Sequence, residues 1–169
     1  MSRKDKGTGL AWYENTEHGF RMKYPKSWER LDKLPQALVA FVKPGKKILR
    51  KAFNESVNVV FRDMKGQGAD LASFVDMAMM ELDSMVPGFE LLADESCELA
   101  GKPARMLSYS GDYKKGQRLR WLQYITTARG DVYALTFIAT EDKYDEALMT
   151  VREMIDSFAW SVEPPASEE

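Results

Sequence analysis

Three runs rich in β-branched and aromatic residues dominate the second half of the chain. They are Leu99 to Tyr109, Arg118 to Thr127 and Val132 to Thr140, separated by polar turns at Gly111–Gly116 and Ala128–Asp131. Such a sequence predicts an antiparallel meander. The third run is almost wholly apolar or β-branched, as expected of a strand covered on both faces. Earlier in the chain, Phe20, Met22 and Tyr24 alternate with Arg21 and Lys23, the period-two pattern of a half-buried strand that Pro25 ends. Leu38–Val42 is a second short strand, stopped at Pro44-Gly45. In Val57–Met64 the residues Val57, Val59 and Phe61 alternate with Asn58, Val60 and Arg62, and Phe89–Cys97 begins a further strand.

Two segments carry the helical period instead. Behind Asp70 as N-cap, the residues Leu71, Phe74, Val75, Ala78, Leu82 and Met85 make one stripe, closed by Pro87-Gly88. Behind Thr140 as N-cap, a second stripe runs through Tyr144, Ala147, Leu148, Val151, Ile155 and Phe158. Glu141 and Asp142 stand in its first turn, where they complement the helix dipole. Two one-sided helices and six or seven strands imply an α+β sandwich with the helices lying on the sheet. Periodicity leaves open whether the helices share a face; the doubly apolar third run favours opposite faces. Residues 1–11 read as a flexible lead-in, 12–160 as one domain and 161–169 as a disordered tail.

Composition narrows the function more than it defines it. With 169 residues, 44% hydrophobic and 30% charged, the chain has material for one domain with a full core. A formal net charge of -2 argues against a nucleic-acid binder. No apolar run approaches the roughly 18–20 residues that span a bilayer. A single Cys excludes an intramolecular disulfide, and the basic N-terminus lacks the apolar region of a signal peptide. A cytoplasmic protein is the favoured reading, an exported mature domain with its signal removed the alternative.

Candidate chemistry is sparse. Gly66-Gln67-Gly68 stands between a strand and a helix, but Leu71 occupies the place of the third glycine of a dinucleotide loop, so a turn is expected. Pro44-Gly45-Lys46-Lys47 lacks the spacing of a phosphate loop. One histidine, His18 beside Gly19, reads as a turn residue and allows no multi-histidine metal site. Cys97 reads as a small core residue. Asp94, Glu95 and Glu98 lack the spacing of a calcium loop and read as a solvated strand edge. Of Met77, Met79, Met80 and Met85, the last is expected in the core, while Met77 or Met80 is expected at the surface as part of an adaptable face. No metal and no cofactor are expected.

The best binding signal is the basic segment Lys43, Lys46, Lys47, Arg50 and Lys51, with Ile48, Leu49 and Phe53 interleaved. A solvated loop has no need of those apolar residues. Lys43, Lys46, Lys47, Leu49, Arg50, Lys51 and Phe53 are therefore the expected contact set for an acidic protein partner, a membrane surface being less favoured.

The order of short motifs resembles that of PsbP-like domains. Gly19-Phe20, Tyr24-Pro25 and Trp28 match the opening, followed by Val57-Asn58-Val59-Val60 and Gly101-Lys102-Pro103-Ala104. Tyr133-Ala134-Leu135-Thr136-Phe137 and Ile155-Asp156-Ser157-Phe158 match the close. That superfamily includes photosystem, Ran-binding and DcrB-like bacterial members. The resemblance implies a three-layer α/β/α sandwich around an antiparallel sheet of about six strands. It also implies a non-enzymatic protein-binding module, an adaptor, chaperone or assembly factor. The alternative is a small-molecule or lipid carrier using a cleft between sheet and helix, lined by Tyr, Trp and Met.

Overall fold

The computed structural model of the protein describes residues 9–45, 54–68, 70–114 and 116–161. Its elements follow in the order β1 (Leu10–Asn15), β2 (Phe20–Pro25), β3 (Glu29–Asp32), β4 (Val39–Val42), β5 (Ser56–Arg62) and α1 (Leu71–Met85). Then come β6 (Glu90–Leu99), β7 (Lys102–Asp112), β8 (Arg118–Ala128), β9 (Asp131–Thr140), α2 (Glu141–Ser157) and β10 (Ala159–Trp160). Seven strands form one antiparallel sheet in the order β3-β4-β5-β9-β8-β7-β6, and β1-β2-β10 form a small second sheet. The architecture is the expected α+β sandwich, with seven strands where about six were expected.

The expected meander is β7-β8-β9, and β6 joins it through a hairpin whose turn lies inside the first run. Leu99 ends β6, and Ala100-Gly101 make the turn with φ of 52° and 82°. Arg129-Gly130 make the β8–β9 turn in the same way, at 53° and 84°. Positive φ at both central residues belongs to the turn type whose twist matches that of paired strands.

Strand β9 decides where the helices go. Its two faces feed two separate cores. Leu135, Phe137 and Ala139 pack with Val57 and Val59 of β5, with Tyr144, Ala147, Val151 and Met154 of α2, and with Phe20 and Met22 of the small sheet. Val132 and Ala134 pack on the other side with Leu107, Ile125 and Val75 of α1. The helices therefore lie on opposite faces, and α2 shares its face with the small sheet.

Four details differ from the expectation. Leu10 and Ala11 belong to β1, not to a lead-in. Strands β3 and β10 are too short for a periodic signal to mark them. Met154 is fully buried while Leu148 is only partly so, because the small sheet beside α2 widens the arc of the helix that faces protein. The Ser157 hydroxyl, which accepts from the Lys23 backbone N–H at 2.8 Å, fixes that contact. Met85 is 75% exposed at the end of α1, outside the core.

The β1–β2 turn is pinned across the molecule by His18. Its ring lies 4.5 Å from that of Phe61 and its Nδ1 is 2.9 Å from the Tyr133 hydroxyl. Arg129 donates from Nη2 to the His18 carbonyl oxygen at 2.6 Å. Burial, aided by the Arg129 charge, holds the His18 imidazole below its ordinary value against the pull of Glu17 and Asp131.

Two outcomes follow for stability. Met154→Ala should lower the free energy of unfolding by about 2–5 kcal/mol. Met149→Ala, on the same helix but 80% exposed, should change it by less than about 0.5 kcal/mol in urea titrations. Because folding depresses the His18 value, the unfolded chain binds its proton first. Stability should be full above about pH 6.5 and fall as pH drops below it towards the folded value. His18→Asn should flatten that part of the profile when urea midpoints are compared at pH 7.5 and 5.5.

Candidate functional site

Helix α1 is laid thinly on its sheet. Val75 is its single fully buried residue, and Leu71, Phe74, Met79 and Leu82 are half-buried. Asp70 stands at the N-cap position without a side-chain bond to the helix backbone, its carboxylate accepting instead from the Ser73 hydroxyl at 2.6 Å. The other end is held hard. A Cβ at Gly111 would collide with Val86 Cγ1, so glycine lets the helix terminus press against β7. The Asp112 N–H donates to the Pro87 carbonyl at 2.7 Å, and Arg118 Nη2 donates to the Gly88 carbonyl at 3.2 Å.

Between these two ends a cleft of about 370 Å³ opens beneath the helix. Its roof is Phe74, Ala78, Leu82, Met85 and Val86, one stripe of α1. Its floor is Val60, Val132, Ala134, Ile125 and Tyr109, drawn from four adjacent strands. Polar groups are few. Arg62 stands at the Phe74 end with its guanidinium carbon 5.5 Å from the centre of that ring. Glu81 lies on the rim, and Gln123 in the floor donates to Thr136 Oγ1 at 3.0 Å. The Tyr109 hydroxyl reaches Gln123 Oε1 only at 3.5 Å, and burial pushes its ionisation well above the ordinary range, so the floor carries no charge.

A cleft between helix and sheet, with Tyr and Met in its lining, matches the expectation; no Trp lines it. Trp121 stacks behind Tyr109 instead, at 5.0 Å between ring centres. Met77, Met80 and Met85 are all exposed on α1. Arg62, the charge at the end of the cleft, went unnoticed in the sequence because it reads as the polar position of an alternating strand.

Of the basic segment, Lys43 is described. Its Nζ lies 3.9 Å from Glu55 Oε1 and 3.8 Å from Glu146 Oε2 of α2. Its backbone N–H donates to the Glu55 carbonyl at 2.9 Å, next to the Val42–Ser56 pair that ends the β4–β5 ladder. Glu55 is buried, so Lys43 serves as its counter-ion and its charge is already engaged. Lys46, Lys47, Leu49, Arg50, Lys51 and Phe53 lie outside the described residues.

The remaining candidates have structural surroundings. Gly66 and Gly68 sit in a turn with φ of 79° and 78°. Asp94 receives both Nε and Nη2 of Arg105, at 2.8 and 3.0 Å, on the edge strand β6. Cys97 is half-buried, its thiol raised by burial and by Glu95. Among the described residues no group of three or more His, Cys, Asp or Glu is placed to hold a metal ion, and no helix is long and apolar enough to cross a membrane.

Comparison with known proteins agrees with this architecture. A Pseudomonas aeruginosa protein of unknown function shares 19% identity at a TM-score of 0.63, covering 93% of this chain and 99% of its own. CyanoP, the cyanobacterial PsbP of Synechocystis, shares 22% at 0.64, with 89% and 92% covered. The Ran-binding protein Mog1p of Saccharomyces cerevisiae shares 13% at 0.59, with 91% and 96% covered. At these identities the likeness is one of fold. No curated protein sequence matches. The sequence itself matches the PsbP family over residues 8–160, and the chain belongs to that family.

Proposed function

We propose that the protein is a non-enzymatic protein-binding module, an adaptor, chaperone or assembly factor, which engages an acidic partner through the segment between β4 and β5. The observation that carries this reading is the composition of that segment together with its anchorage. Lys46, Lys47, Arg50 and Lys51 are interleaved with Ile48, Leu49 and Phe53. Both ends spring from adjacent hydrogen-bonded strands, closed by Lys43 and Glu55. Binding residues are commonly carried in this way, on a connection held by a rigid scaffold. Family membership supports the same reading: Mog1p is a Ran-binding protein, so the fold serves recognition in at least one relative.

The charges and the apolar residues have different tasks. Single exposed ion pairs contribute only about 0.2–1 kcal/mol, so the cations steer encounter and set its salt dependence. Burial of Leu49 or Phe53, worth roughly 1.5–3 kcal/mol for a full side chain, sets the residence time. A second reading, carriage of a small molecule or lipid, is favoured by the cleft beneath α1, whose volume falls within the usual range of ligand sites.

The test compares wild type with the variant carrying Lys46→Glu, Lys47→Glu, Arg50→Glu and Lys51→Glu. Proteins cross-linked to wild type and lost from the variant are partners of this segment, and association is then timed across ionic strength. The variant should associate roughly tenfold more slowly, with a flattened salt dependence. Association at the wild-type rate would move the binding surface elsewhere.

A further inference from the structure

The cleft beneath α1 is elongated along the helix. Its roof runs from Phe74 to Val86, twelve residues of helix or about 18 Å. A volume of about 370 Å³ along that length has room for one extended hydrocarbon chain.

The cleft is also polarised. At the Val86 end the helix is tied down through the carbonyls of Pro87 and Gly88, over a floor of uncharged Tyr109. At the Phe74 end stands Arg62, exposed and paired with no carboxylate among the described residues. An apolar bore with one unpaired guanidinium at its end suits an apolar tail and an anionic head. Glu81 does not reverse this sign. It is exposed on the rim, seven residues from Phe74, or about two turns and 10 Å of helix from the Arg62 end. Among the described residues no ion pair joins it to Arg62.

We infer that the α1 cleft binds one long-chain fatty acid, its carboxylate on Arg62 and its tail running beneath Phe74, Ala78 and Leu82 towards Tyr109. The inference rests on the carrier reading and names its ligand class; it is independent of the basic segment between β4 and β5. No bond is made or broken. The thin seating of α1 suits such a site, since the helix makes few buried contacts along its length while its C-terminal end is fixed.

The experiment titrates the full chain with sodium laurate below its micellar concentration, by calorimetry and by the methyl signals of methyl-labelled methionines. Laurate should bind one to one, shifting the Met85 methyl and leaving that of Met149 in place. Dodecanol should bind more weakly and dodecylamine more weakly still. Across octanoate, decanoate and laurate, each added pair of methylenes should tighten binding roughly tenfold. Arg62→Gln, at an exposed site that leaves the core intact, should weaken laurate about tenfold and leave dodecanol unchanged. Ala78→Phe, which fills the bore, should abolish both. Equal binding of laurate and dodecanol to wild type, or tighter binding of dodecylamine, would overturn the ligand class while leaving a carrier. Absence of binding by all three amphiphiles would overturn the carrier reading as well. Binding only to laurate-containing vesicles, with Met85 unmoved, would show a membrane surface and not a bound fatty acid.

Discussion

Strand β9 has no side that faces water, and the remaining elements are arranged to meet that condition. Its backbone is paired with β5 and β8, so it lies near the middle of the sheet. Its side chains alternate between two cores, Val132 and Ala134 on one face and Leu135, Phe137 and Ala139 on the other. Each face must be covered, and the chain supplies one helix to each. The cover is unequal. On the α2 face the helix, the small sheet and a chain of aromatic contacts from Phe20 through Phe158 and Trp160 close the core. On the α1 face a 15-residue helix lies over a much wider sheet with one fully buried residue.

That inequality explains where a binding site is available. A densely packed core transmits strain and leaves no room for a guest. The α2 side is such a core, with Phe41, Phe137, Met154 and Val151 wholly enclosed. The α1 side has spare volume because its helix is anchored strongly only at its far end, by Gly111, Asp112 and Arg118. Elements with few buried apolar contacts are the ones that open at low cost, and binding sites draw on them.

The sequence was most legible where one periodicity ran long enough. The meander, both helices and their N-caps at Asp70 and Thr140 were readable because ten or more residues kept one period. The doubly apolar run at Val132–Thr140 favoured helices on opposite faces, which periodicity alone left open. Strands β3 and β10 were not readable, being four and two residues long and dependent on partners elsewhere. Met85 misled because an apolar stripe states which face a helix turns inward, not how far the sheet beneath it extends. Arg62 could not be found by pattern at all. Its importance comes from Phe74, a residue twelve positions later, and from the floor that β7, β8 and β9 bring beside it. The basic segment was visible from composition alone, because charge and hydrophobicity there follow no period.

The small sheet ties together distant parts of the chain. Strand β2 sits between β1, its neighbour in sequence, and β10, which pairs Ala159 with Arg21 and Trp160 with Phe20. An N-terminal hairpin thus waits for its third strand until nearly the whole domain exists. On a ribosome, Phe20 would emerge early and stay uncovered while some 140 further residues were added at roughly 5–20 per second. For that interval of about 7–28 s Phe20 lacks its partners Phe158 and Trp160. The last turn of α2 and the strand after it therefore complete the cover of the N-terminal hairpin, whose turn His18 ties separately to Phe61 and Tyr133.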